Sequence, residues 1–305
     1  MNNYINYYWE LYPNTIDKKD NNYIFVVNCE TYYLIPYERN IEELDTLVNL
    51  NIEMINRGSL VHEIVLNKDK KAITPIEGIN YALLRVYVHP SHKIIFDDII
   101  FMMNNNEGIV LNDIIGRTKW QSLWEVKIDY FEYQIGHLIK KYPFIYKTID
   151  YYIGLAENAI LYLKDIDNTS PITVSHKRIG SNSNLFDLYN PFNLIIDYKV
   201  RDIVEYIKNT FFYDKDGIRK AYNLVNDIFK KYMFDNNTLT LFYARMLFPS
   251  YYFDLYENII ENDLNENLVF NIIKKSNDYE RFLKYMLEVL PLKNIEWINK
   301  KEVNM

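Results

Sequence analysis

The chain has 305 residues, 49% of them hydrophobic and 16% aromatic, which allows one large or two modest domains with a sizeable core. Its net charge of −7, with no long basic block, argues against general nucleic-acid binding, where clustered Lys and Arg must neutralise phosphates. The single cysteine, Cys29, excludes an internal disulfide and a multi-cysteine zinc site, and no apolar run approaches the roughly 18 to 20 residues that cross a bilayer.

The amino terminus, MNNYINYYWELYPN, lacks the basic-then-apolar order of a secretion signal, so the expectation is a protein made and kept inside a cell. Tyr23 to Val27 and Thr31 to Pro36 are rich in β-branched and aromatic residues and flank Asn28-Cys29-Glu30, a hairpin pattern in which Cys29 is expected as a small, half-buried strand residue. The spacing predicts a helix from about Ile41 to Asn56, with Leu44, Leu47, Val48, Ile52 and Ile55 on one face and Gly58 as its stop. Val61 to Leu66, Lys71 to Pro75 and Tyr81 to Val88 are further strand candidates. Residues 1–88 thus read as a β-rich lobe with one helix.

Residues 89–305 read as a mainly helical lobe. Trp120, Leu123, Trp124, Ile128, Phe131, Ile135 and Leu138 mark a helix from Lys119 to Lys141, ended by Tyr142-Pro143, and their aromatic stripe reads as core. A second helix, from about Tyr146 to Leu163, carries Ile149, Ile153, Ala156, Ile160 and Leu163 on one face. Two central strands are expected near Ile172 to Ser175 and Leu194 to Asp197. Three or four helices follow Asp202, the last from about Leu268 to Leu290. The whole is an α+β, bilobal plan.

The segment from Pro171 to Asp202 has the layout of a kinase-type catalytic loop: a His-x-Asp ends one strand, an Asn follows five residues later, and a second Asp closes the next strand to hold magnesium. Here His176-Lys177-Arg178 fills the first element, Ser183 stands at the Asn position between Asn182 and Asn184, and Asp197 closes the second strand. A guanidinium has no acceptor and stays protonated, so Arg178 cannot be a general base. Lys177 and Arg178 could still grip a phosphate or carboxylate, and the pair reads equally well as a solvated strand end. Asp197 reads either as a magnesium ligand or as the cap of a helix starting near Lys199. Asp202 is expected to hold the loop backbone.

Other parts of a kinase are missing. The first glycine is Gly58, so no glycine loop covers phosphates between the first strands. Tyr33-Leu34-Ile35-Pro36 offers no lysine for a nucleotide, and Glu53 on the following helix reads as a solvated charge more readily than as the partner of such a lysine.

Trp120 to Glu125, Tyr152 to Ile160, Ser175 to Arg178, Asp197 to Asp202 and Arg245 to Asp254 resemble, in order, blocks of the YutH-type endospore coat-associated proteins of the CotS-like spore coat family. That resemblance implies a protein-kinase-like fold similar to aminoglycoside and choline phosphotransferases, with His176, Arg178 and Asp197 at the positions of the loop His, the loop Asp and the magnesium Asp. It also implies a sporulating, low-GC bacterium, in keeping with codon-driven use of Asn, Ile, Lys and the 29 tyrosines, and assembly onto the spore coat from the mother-cell cytoplasm.

Three readings follow. The first is a non-catalytic pseudokinase whose partners are other spore coat proteins, with no cofactor, no metal, no nucleic acid and no membrane insertion. The second is an anion- or nucleotide-binding module using Lys177 and Arg178. The third is a residual phosphotransferase in which His176 supplies a base and Asp187, Asp197 or Glu157 a metal ligand. His89 and His92, split by Pro90, read as a turn, and His62 and His137 as half-buried or surface residues without chemistry. Arg245 with Pro249-Ser250-Tyr251 reads as a packing corner between helices.

Overall fold

The computed structural model describes residues 1–87, 91–109, 113–138, 140–164, 166, 170–292 and 295. In chain order the elements are α1 (Asn2–Trp9), β1 (Ile16–Lys19), β2 (Asn22–Val27), β3 (Glu30–Pro36), α2 (Leu44–Asn56), β4 (Glu63–Val65), β5 (Thr74–Ile76), β6 (Ile79–Val86) and α3 (Phe96–Asn105). They continue with α4 (Trp120–Leu138), α5 (Pro143–Leu163), β7 (Ile172–His176), α6 (Leu185–Tyr189) and β8 (Leu194–Tyr198). Helices α7 (Arg201–Tyr213), α8 (Gly217–Lys231), α9 (Asn236–Leu247), α10 (Ser250–Glu261), α11 (Phe270–Ile273) and α12 (Ser276–Val289) complete them.

Two compact units result. The first comprises Met1–Arg117, Ile172–Ile179 and Ser183–Asp197; the second comprises Thr118–Pro171, Gly180–Asn182 and Tyr198–Met305. A division at residue 88 follows chain order, whereas the first unit also takes in α3 and nearly all of the β7–β8 ribbon.

In the first unit β1 to β6 form one antiparallel sheet in the order β1-β2-β3-β6-β4, with β5 also paired to β6. Tight two-residue turns join β1 to β2 at Asp20-Asn21, β2 to β3 at Asn28-Cys29, and β5 to β6 at Glu77-Gly78. Both Asn28 and Cys29 have positive φ, the backbone that matches the twist of flanking strands. Cys29 is therefore an exposed turn residue rather than a half-buried strand residue. One face of the sheet buries Phe25, Tyr32, Leu34, Ile76, Tyr81 and Leu83 against Ile5 and Trp9 of α1, and Trp9 Nε1 donates to Val65 O at 3.2 Å.

Helix α2 ends as expected at Gly58, whose φ of 75° lets Ser59 N–H reach back to Met54 O. Its buried face is rotated from the expected one: Leu47, Leu50, Asn51 and Met54 are inside, while Ile52 and Ile55 are exposed. Asn51 decides the rotation, because its amide donates to His62 O and accepts from Ile64 N–H, tying the helix to β4.

The second unit is helical. Pro143 sits at the first position of α5, and Glu266 accepts from the N–H groups of Phe144 and Ile145, so Tyr142-Pro143 starts α5 as much as it ends α4. The expected face of α5 is buried throughout, as is that of α4 except for Leu123 and Leu138. More helices follow Asp202 than expected, and the last is broken at Lys274-Lys275, so α12 starts at Ser276 rather than Leu268.

Lys208, 1% exposed, donates to Arg245 O, Phe248 O and Ser250 Oγ and pairs with Glu205 at 2.9 Å, fixing the α9–α10 corner that the Arg245 and Pro249 motif suggests. Burial lowers the Lys208 pKa to about 8 against the pull of Glu205. Among the described residues no helix is long and apolar enough to cross a membrane.

Candidate functional site

The predicted loop lies between β7 and β8, and its first-unit residues can be taken one at a time. His176 is buried at the end of β7, with Nε2 at 2.7 Å from Leu188 O. A carbonyl only accepts, so that nitrogen carries the proton and is not a free base. Lys177 and Arg178 follow with exposed side chains, and Ser183 is half-buried.

Asn193, just before β8, holds part of the loop backbone. Its Oδ1 accepts from Arg178 N–H at 3.2 Å, its Nδ2 donates to Arg178 O at 2.9 Å and Asp187 O at 3.0 Å, and its carbonyl accepts from Lys177 N–H at 2.7 Å. Asn184 and Asp187 close a reciprocal capping box at the start of α6, so Asp187 is engaged with the backbone. Within the second unit, Gly180 approaches Asn209 so closely that a Cβ there would lie 2.5 Å from Asn209 Cγ.

Asp197 is completely buried at the end of β8. It does not cap a helix: α7 begins at Arg201 with Val200 at the cap position and no side-chain cap bond, two residues later than the sequence suggests. Asp202 is also buried, in the first turn of α7. Glu157 is exposed on α5, and among the described residues no three His, Cys, Asp or Glu side chains gather into a group able to hold a metal.

On the sheet side, β3 carries Tyr33 at the start of the lysine-free segment 33–36, and its ring stacks on Phe186 of α6 at 4.7 Å. Phe186 also stacks on His62 at 5.2 Å, and Tyr189 meets His62 edge-on. His62 is thus fully buried, not half-buried or at the surface. Among the described residues neither ring nitrogen has a well-formed hydrogen bond, and burial, only partly offset by the Phe186 backbone, lowers its pKa to about 4, keeping the ring neutral. His92 is exposed; His89 lies outside the described residues.

Glu53 forms an exposed i,i+4 pair with Arg57, a solvated helix-face charge. The buried acid of this region is Glu43, which sequence reasoning missed. It lies 2.6 Å from Arg39 and 2.8 Å from Arg117, while Arg39 Nη1 donates to Phe192 O and Leu194 O. Burial alone would raise its pKa, but the two guanidiniums prevail and hold it below its ordinary value. The i,i+4 spacing of Arg39 and Glu43 was the available signal.

A family model described as "Spore coat putative kinase YutH" matches residues 2–286. The chain belongs to the YutH spore coat family. The endospore coat-associated protein YutH of Bacillus subtilis (strain 168) is 26% identical over 211 residues, 60% of this chain. The match spans 62% of that relative, less than two thirds of its length.

Among solved structures, an aminoglycoside phosphotransferase from Alicyclobacillus acidocaldarius superposes with a TM-score of 0.63 at 8% identity, covering 92% of this chain and 93% of the other. A spectinomycin phosphotransferase in complex with ADP and spectinomycin gives 0.57 at 10%, covering 97% and 95%. An amicoumacin kinase gives 0.57 at 12%, covering 95% and 92%. At these identities the likeness establishes the fold: this YutH-family chain has an aminoglycoside phosphotransferase-like, kinase-like α+β architecture, a small antiparallel sheet with a larger helical part. The sequence blocks beginning at Trp120, Tyr152, Ser175, Asp197 and Arg245 had pointed to both.

Proposed function

We propose that this chain is a coat-associated pseudokinase that acts through protein contacts in endospore coat assembly rather than by transferring phosphate. The carrying observation is Arg178: a permanent cation with its backbone clamped by Asn193 stands where the loop must supply a proton acceptor. Three further features support the reading. His176 Nε2 is occupied by a carbonyl. The two-residue turn at Asp20-Asn21 has no length to fold over phosphates. Tyr33 on β3 is covered by Phe186 instead of presenting an amine.

The partners are other spore coat proteins, and the chain reaches them from the mother-cell cytoplasm. No cofactor or metal enters the proposal. The deciding experiment incubates the purified protein with radiolabelled ATP and Mg²⁺ alongside sporulation extract. The expected result is no transfer above a protein-free control; transfer that disappears in Asp197→Asn would overturn the reading.

The exposed Lys177 and Arg178 favour one second reading, a phosphate- or nucleotide-binding module without chemistry. A thermal-shift screen with ATP, ADP and phosphosugars separates the two, because a ligand that binds only the folded state must raise the melting temperature.

A further inference from the structure

Helix α4 has two apolar faces, and among the described residues one of them is left exposed. Trp120, Trp124, Ile128, Phe131 and Ile135 are buried in the second unit. Around the cylinder from them, Leu123, Val126, Tyr130 and Tyr133 are 45%, 69%, 51% and 71% exposed. With His137, whose ring meets Tyr133 edge-on at 4.7 Å, they recur at steps of three and four residues. That is the spacing by which one helix receives another along a seam, and over this span the seam is about 21 Å long.

Charge on both sides of the stripe is acidic. Along one edge of α4 run Glu125, Asp129 and Glu132, all exposed. Beyond the other edge lies α10, tied to α4 by the Tyr256 hydroxyl donating to Gln134 Oε1 at 2.8 Å, and presenting Asp254, Glu257 and Glu261. Between the helix ends the one cation on these rows is Lys127, already paired with Glu257 at 3.3 Å and Asp254 at 3.8 Å. An apolar ridge between two rows of carboxylates attracts an apolar ridge flanked by cations. A second copy is disfavoured as occupant, because it would bring two acidic rims together.

We propose that the outward face of α4, centred on Val126 and Tyr130, is a docking surface for a Lys- or Arg-flanked amphipathic helix of another protein. This rests on the interaction reading above and names the surface that realises it.

The test uses the full chain and a labelled two-heptad peptide with Leu at the seam positions and Lys at the flanks, against an isomer with Glu at the flanks. Fluorescence anisotropy is expected to show binding of the Lys peptide, weakened by added salt, and none of the Glu peptide. Val126→Asp with Tyr133→Asp, both at the surface, should weaken binding at least about tenfold. Asp129→Lys with Glu132→Lys should shift preference toward the Glu peptide. Failure of the Lys peptide to bind, or equal binding by the Val126→Asp, Tyr133→Asp protein, overturns the proposal. So does a dimer in sedimentation that this double variant dissociates, since the occupant would then be a second copy. Phosphotransfer with peptide binding intact would remove the pseudokinase reading alone; lost peptide binding with no transfer would remove this surface alone.

Discussion

His62 shows how one buried group sets a pH response. The ring is fully buried, stacks on Phe186 and meets Tyr189, so protonation inside would place a cation in an aromatic stack where desolvation outweighs the favourable contact from the Phe186 backbone. Its folded pKa of about 4 lies below the ordinary histidine value near 6.5, so between these values the unfolded chain binds the extra proton. Stability therefore falls as pH drops from about 6.5 toward 4, by about 2 kcal/mol at pH 5. His62→Phe keeps an aromatic ring in the stack and removes the titration. Urea unfolding at pH 7.5 and pH 5 should show a smaller difference between the two midpoints for the variant than for the parent. Equal differences would mean that the ring is not the buried neutral group described.

Among the elements, the segment from β7 to β8 owes its shape to side-chain amides rather than to apolar packing alone. Removing the Asn193 amide leaves Arg178 N–H, Arg178 O and Asp187 O without their partner. Asn193→Ala should cost about 1 to 3 kcal/mol and speed amide hydrogen exchange across 177–188, while exchange in α8 stays unchanged. Unaltered exchange across 177–188 would show that the clamp carries no weight. The sequence announced elements wherever apolar period and turn chemistry agreed: β2, β3, α5, β7, β8 and the Gly58 stop. It concealed α1, whose NNYINYYW fully buries only Ile5 and Trp9 while Tyr4 and Tyr8 pack partly exposed beside them, and β1, whose IDKK is mostly solvated and carries no alternating pattern. On α2 two overlapping apolar stripes were available, and a polar residue, Asn51, chose between them. Around the candidate site, the strand ends at His176 and near Asp197, with Arg178 in the connection between them, were legible because that pattern is local. Asn193 and Phe186 were not, because their roles arise from partners distant in sequence, and Glu43 was legible only through its local pair with Arg39, its second partner Arg117 being distant.

At the scale of the molecule, a kinase-like fold is kept at 8 to 12% identity to solved phosphotransferases, and the proposed pseudokinase reading takes the parts that would handle a nucleotide to have changed one by one. The fold needs the sheet core around Leu34 and Leu83 and the helical core of the second unit, and neither depends on an acid at position 178. Catalysis needs several groups at once, and groups that act as a unit are not restored one at a time. On the proposed reading, Arg178→Asp places a carboxylate where the loop lacks one, yet leaves the short turn at Asp20-Asn21, the lysine-free β3 and the Phe186 stack on Tyr33 unchanged. If the loss is distributed in this way, the variant should fold as the parent does and still transfer no phosphate from Mg·ATP to a sporulation extract. Turnover gained by this single change would mean instead that a working phosphate cradle persists elsewhere in the chain, and that Arg178 alone holds a competent enzyme silent.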